Sequence, residues 1–396
     1  MPASRTLTVR TSVPTIVRTA RTARTVWALL WLWTVGWGAV AAVGGGYSWH
    51  YFADGARLLL QPGAPGAGLS LYAAHPELQI GPFALVVAIP FQQFGGTGRL
   101  LAELALTAAG PGLLWVLARA RRELLGRGPT PAALLVVGML ALPVWCQVAT
   151  HYAHLDDVMA LFLASLAVLG MTSGRPYAAA LALGLAIDSK PWAAGFAVLL
   201  VALPGRARRR AVLLLATVVA VAWLPFVISA PQTLALSRFT IENVGSSALR
   251  ALGVVTAGTP GWDRPAQLAL GIGVGLVCVL RGRWPAAILA VVVARLLLDP
   301  QTYPYYSSGL LAAAVVADVV SPRRGLPVWT AAAACWVVLD AVAPSFVATA
   351  QEGQLRAAFC LGVLALLVGL PRSGTPWPGM RARSLSGGSA TVSDHR

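Results

Sequence analysis

The chain has 396 residues, of which 57% are hydrophobic and only 11% charged, and its mean hydropathy is +0.71. Soluble domains carry roughly 25% charged residues, so one large globular core is excluded and a polytopic membrane protein is expected. The formal net charge of +16 does not point to nucleic acid, because the arginines sit in short clusters between apolar runs instead of forming a basic face.

The first 24 residues hold five arginines and no acid, and an apolar run follows from Val26 to Val43. That run is longer than a secretory h-region, so residues 1–25 read as a cytoplasmic basic arm ahead of an uncleaved first membrane helix. Residues 46–79 form the first outer loop, in which "FADGARLLL" predicts a short amphipathic helix with Asp54 near Arg57. Apolar segments then fall near 80–95, 98–118, 131–149, 155–171, 177–188, 191–203, 211–230, 266–280, 284–298, 305–320, 328–346 and 354–370. From Arg119 onward every basic cluster lands on one side: 119–127, Arg175, 205–210, 281–283, 322–325 and the tail from Arg372. An odd number of crossings must separate the first outer loop from Arg119. One of 80–95 and 98–118 is therefore expected to be re-entrant or surface-lying. The expected fold is an all-α bundle of about 12 transmembrane helices over residues 26–370, with short outer-face helices and a long outer loop at 231–265. Residues 371–396 read as a disordered cytoplasmic tail. The Ala, Gly and Arg content suggests a GC-rich bacterium, hence a plasma membrane. The four cysteines all lie in apolar stretches and read as small buried residues.

Only 14 acids occur in the chain, and on this topology most fall outside or at the outer edge, joined by His50, His75, His151 and His154. An acid at membrane depth costs a few kcal/mol and usually has a partner or a task. In "THYAHLDDVMALFL", His151, His154 and Asp157 are spaced i, i+3, i+6 on one helical face. That pattern fits a divalent ion, a second carboxylate in an active site, or the plain polar edge of a helix. In "ALGLAIDSKPW" (182–192), Lys190 sits at the outer turn of a hairpin, where it binds phosphate, snorkels to headgroups, or pairs with Asp188. "LLLDPQTYPYYSSGLL" (296–311) offers Asp299, Tyr303, Tyr305 and Tyr306 as pocket walls or as interfacial belt residues. Arg295, one turn earlier, could bind phosphate or pair with Asp299.

An acid directly after the first helix, then "GARLLL…GLSLY" (55–72) and the Lys-Pro hairpin, resembles the GT-C membrane glycosyltransferases, most of all glycosyltransferase family 87. The resemblance spans roughly residues 26–320; the family's usual Tyr-Pro-Pro is replaced here by "HPELQIGP". It implies transfer of a hexose, by family analogy mannose, from a polyprenyl-phosphate sugar to a glycolipid or glycan acceptor of the cell envelope. The reaction would occur at the outer face, with the N-terminus cytoplasmic. Asp54 would act as general base, and Asp156, Asp157 and His154 would orient the acceptor. Lys190 and Arg57 would hold the donor phosphate, and His75, Asp299, Tyr303 and Tyr305 would complete the pocket. No cofactor is called for, and a divalent metal stays a secondary alternative. The rival reading is a multi-pass transporter or flippase of lipid-linked or small polar substrates, which needs acids and lysines at mid-membrane. The absence of an internal repeat argues against it.

Overall fold

The computed structural model describes residues 13–322, 325–372 and 375; the start of the basic arm and most of the Ser-, Gly- and Arg-rich tail lie outside the described residues. The chain runs through α1 (Val13–Ala42), α2 (Trp49–Leu59), α3 (Leu71–Ala74), α4 (Pro82–Gln92), α5 (Gly95–Leu125), α6 (Pro131–Cys146), α7 (Leu155–Thr172) and α8 (Pro176–Ser189). It continues through α9 (Gly205–Ser229), α10 (Ala248–Ala251), α11 (Asp263–Leu280), α12 (Ala287–Leu298), α13 (Tyr306–Val320), α14 (Val328–Val342) and α15 (Thr349–Gly369). A π turn at Gln147–His151 extends α6, and Pro191–Ala202 winds as a 3-10 helix. Among the described residues the sole β pairing is one isolated bridge, Glu242 to Gly258.

Eight of these described helices are long and apolar enough to cross a membrane, and five more are apolar but shorter. The protein is thus an all-helical, polytopic membrane protein, as its composition requires. Helix starts follow local chemistry. Proline opens α4, α6 and α8, where the missing N–H costs nothing. The Thr130 hydroxyl caps α6 by accepting from the Ala133 N–H at 3.2 Å. The apolar core is continuous from Val26 to Leu367. Of the eight long helices α7 is the most buried, whereas α9 lies at the rim. Cys146, Cys278 and Cys360 are buried as expected; Cys335, on α14, is instead exposed.

The bundle has two chemically distinct ends. At one, arginines close carbonyls that the helix ends leave open. Arg121 donates to Val319 and Ser321 at 2.9 and 2.6 Å, and Arg281 and Arg283 donate to Val368 and Leu367. The other end gathers the acids and the long loops. There the Gly46 N–H donates to His151 O at 2.8 Å, Val244 N–H to Pro300 O at 3.0 Å, and Arg264 to Gln79 Oε1 and Phe239 O.

Helix α4 has both of its ends at the acidic end. Its start is tied to the acidic end by the Gly81 N–H donating to Ser189 O at 2.9 Å. Its other end returns there too, with Phe91 against Trp49 at 6.4 Å and Arg99 on α5 donating to Gly45 O at 3.4 Å. Eleven residues rise only about 16 Å, so α4 does not traverse the bundle. The stretch 95–125 is one continuous 31-residue helix that does.

Candidate functional site

Two polar assemblies occupy the acidic end, on opposite sides of α2. The first is buried and begins with a distorted backbone. After the π turn, Ala153 adopts φ 47°, a left-handed conformation that costs a residue with a Cβ about 1–2 kcal/mol. The kink ends the helix that the i, i+3, i+6 spacing presumed. His151 consequently turns away and packs edge-on against Tyr47 and Tyr152, both at 4.9 Å. The proposed His151–His154–Asp157 face does not form; His154, Asp156 and Asp157 form the close group.

His154 Nδ1 lies 3.2 Å from Asp156 Oδ1 and 3.2 Å from Asp157 Oδ2, which calls for a proton on that nitrogen. Asp156 Oδ1 also accepts the Asp157 N–H at 2.8 Å. Lys190 Nζ pairs with Asp156 Oδ2 and sits 3.3 Å from Asp157 Oδ2. Trp192 Nε1 donates to Asp157 Oδ1 at 3.3 Å. Both oxygens of Asp156 are therefore hydrogen-bonded, whereas Asp157 Oδ2 is held by ion pairing alone. Lys190 does not pair with Asp188, which faces Trp223 and Tyr72. Burial alone would lower the pKa of the His154 imidazole, but its hydrogen bonds to Asp156 and Asp157 and their charges outweigh it, so the value is raised. The same balance holds for Lys190: burial lowers, and Asp156 and Asp157 raise by more.

His154 Nδ1 and one oxygen from each aspartate lie within 4.8 Å of one another, a donor set that suits a divalent cation. The Lys190 ammonium already stands among those oxygens and supplies the compensating charge. Above this cluster, Tyr305 stacks on His154 at 3.9 Å and Tyr303 stacks on Tyr305 at 5.4 Å. Arg295 is sandwiched between the rings of Trp192 and Tyr306, at 4.7 and 4.4 Å, and pairs with Asp299 at 3.4 Å. Burial raises the Asp299 pKa, with Arg295 opposing.

The second assembly is open. A cavity of about 480 Å³ lies between α2 and the turn joining α4 to α5, lined by His50, Asp54, Arg57, Gln92 and Arg99 among others. Asp54 pairs with Arg57 at 2.7 Å, and both side chains are more than half exposed, at 51% and 57%. Phe52, two residues earlier and so on nearly the opposite face of α2, is buried with its ring 6.2 Å from that of His154. Asp54 and the Asp156 cluster are thus back to back across α2.

The residues singled out in the sequence sort as follows. His154, Asp156, Asp157 and Lys190 converge, with Tyr305, Tyr303 and Asp299 beside them. Asp54 and Arg57 stand apart in the open cavity. His75 pairs with Glu77 at 3.1 Å between α3 and α4. Two participants escaped the sequence reading. Trp192 was overshadowed by its neighbour Lys190. Arg99, ion-paired to buried Glu103 at 3.3 Å, had a usable signal as the sole basic residue between Arg57 and Arg119. Comparison with known proteins adds no relative: no protein-family model, curated protein or solved structure matches the chain.

Proposed function

We propose that this protein is an integral-membrane glycosyltransferase that moves a hexose from a polyprenyl-phosphate sugar to a glycolipid or glycan acceptor, with Asp54 as general base. One observation carries the reading. An accessible carboxylate and two arginines line one cavity, at the end of the bundle opposite the arginine clusters. An acceptor hydroxyl ionises far above neutral pH, so its attack needs a carboxylate within reach to take the proton. As the acceptor oxygen bonds to the anomeric carbon, its proton passes to Asp54 and the bond from that carbon to the phosphate oxygen breaks. The phosphate leaves with an added charge, which Arg57 and Arg99 stabilise. Lys190, committed to two carboxylates, serves here as a structural cation beneath α2 and leaves the phosphate role to the arginines.

In this reading the eight long helices and four of the five shorter ones cross the bilayer, about twelve crossings in all, with α4 re-entrant at the acidic end. The arginine end faces the cytoplasm by the positive-inside rule, and the acidic end faces outward from a bacterial plasma membrane. The resemblance to family 87 supplies mannose as the first sugar to try.

The test is transfer from polyprenyl-phosphate hexose in purified membranes. Replacing Asp54 by Asn should lower transfer roughly 10²–10⁴-fold with expression unchanged. Full activity in Asp54→Asn would remove Asp54 as base, and a wild-type protein that never consumes the donor would remove the enzyme class. The rival reading, a flippase, draws on the buried Lys190–Asp156 pair, since intramembrane charges often mark transport paths. It predicts that the lipid-linked sugar changes leaflet intact.

A further inference from the structure

Six of the chain's eight tyrosines gather at the acidic end, from three separate stretches of sequence: Tyr47 and Tyr51, Tyr152, and Tyr303, Tyr305 and Tyr306. Five of them are joined by ring contacts. Tyr47 lies 6.3 Å from Tyr152, Tyr152 lies 5.6 Å from Tyr305, and Tyr305 lies 5.4 Å from Tyr303 with their planes only 8° apart. Tyr306 closes edge-on against both Tyr303 and Tyr305, at 5.5 and 4.9 Å. Tyr51 lies within electrostatic reach of the Tyr303 hydroxyl. The strip is buried at its centre and open at its edges, with Tyr47, Tyr51 and Tyr303 exposed by 61%, 47% and 41%.

A membrane belt accounts poorly for this arrangement. Belt aromatics mark both interfaces and stand around the circumference of a bundle. The remaining two tyrosines form no counterpart: Tyr72 is buried, and Tyr177, at the arginine end, is a single ring that accepts from Arg210 at 3.4 Å. The strip is also held rigid from below. Tyr305 rests on His154, whose ring is fixed by two aspartates. The loop that carries Tyr303 is pinned by the Gln301 N–H on Asp299 at 3.0 Å, by Ser246 on Thr302 at 3.2 Å, and by Asp299 on Arg295. Rings ordered in advance lose little freedom when a ligand settles on them.

We propose that this tyrosine strip is a binding platform for a neutral oligosaccharide, whose rings lay their C–H faces on the tyrosines and whose hydroxyls meet the phenol oxygens. The chemistry selects that class. Tyrosine presents an electron-rich face with a polar handle, which matches a surface of C–H groups rimmed by hydroxyls. Tyr305 is covered by His154 and Tyr303, so the open rings are Tyr47 and Tyr303 at the two ends of the contact series, and bridging them takes a ligand longer than a monosaccharide. Nucleic acid is disfavoured, because stacked bases bring phosphates that need unpaired cations. Here the nearby cations Lys190 and Arg295 are already paired, and acids Asp299 and Glu242 flank Tyr303. The assignment goes beyond the glycosyltransferase reading, since the strip rests on His154 and does not line the Asp54 cavity, and it is tested by binding alone.

The experiment is saturation-transfer NMR on the full chain in nanodiscs, with mannotetraose and maltotetraose as probes and an oligogalacturonate as the anionic control. Saturation should reach the ring C–H protons of at least one neutral probe. Tyr47→Ala and Tyr303→Ala should each weaken binding about three- to tenfold, and Tyr303→Phe by less, because it keeps the ring. Tyr47 and Tyr303 are both exposed, so monodisperse elution of these variants is expected and checks their fold. No saturation of either neutral probe, equal binding by the Tyr47→Ala/Tyr303→Ala double variant, or tighter binding of the anionic control would overturn the platform. Binding by a wild-type chain that never consumes a lipid-linked sugar would support the platform while removing the transferase.

Discussion

Asp156 and Lys190 show how much depends on a few buried charges. Asp156 is fully buried, so replacing it by Asn leaves Lys190 with half its compensation inside the bundle. Losing one partner of a buried pair costs about 3–5 kcal/mol, whereas removing both together costs far less. Thermal unfolding in detergent should therefore show Asp156→Asn well below wild type and the Asp156→Asn/Lys190→Met double variant partly recovered; strict additivity would mean the pair is not coupled. His154 adds a pH signature. Its folded pKa is raised above the ordinary 6.5, so its stabilising contribution is complete below that value and is lost as pH rises through the raised one. The unfolding midpoint should fall on alkalinisation across that window, and His154→Gln should flatten the profile. A wild-type midpoint constant from about pH 6 to 9 would contradict this. At this scale the sequence was a partial guide. The polarity of His154, Asp156, Asp157 and Lys190 at two helix ends was legible, but the Lys190–Asp156 pair was not, since the sequence offered Asp188 as the partner. The separation of Asp54 from them depends on which face of α2 turns inward, and Phe52 decides that by burying itself.

At the scale of elements, periodicity and basic punctuation locate nearly every helix, because lipid leaves the backbone few other ways to satisfy its hydrogen bonds. The hidden features are those where the backbone departs from the regular α-helix. The π turn at Gln147–His151 and the left-handed Ala153 leave no mark in an apolar pattern. Ala153→Gly should relieve about 1 kcal/mol of strain and raise the unfolding midpoint slightly; a lowered midpoint would show that burial of the methyl group outweighs it. The return of α4 depends on a close approach at Gly98, where an added Cβ would stand 1.7 Å from the Phe91 carbonyl oxygen. Gly98→Ala should sharply reduce the folded yield, while Gly96→Ala, with open space around it, should be tolerated. Comparable yields for the two would mean the α4–α5 turn has slack that the packing does not show.

For the whole molecule, the two-ended distribution of charge makes a topological prediction. In a Cys335→Ala background, Gly96→Cys at the acidic end and Gly205→Cys at the arginine end, both in open space, should react with a membrane-impermeant maleimide from opposite sides. Labelling from one side alone would refute the alternation. The 3-10 helix at Pro191–Ala202 sets a length within this frame. Its 12 residues span about 24 Å, where an α-helix of the same sequence would span about 18 Å. Rewinding it would shorten that segment by roughly 6 Å while Lys190, at its first turn, is tethered to Asp156. The ion pair therefore anchors one end of that segment, so that any change in the winding of this helix is felt first at a single buried carboxylate.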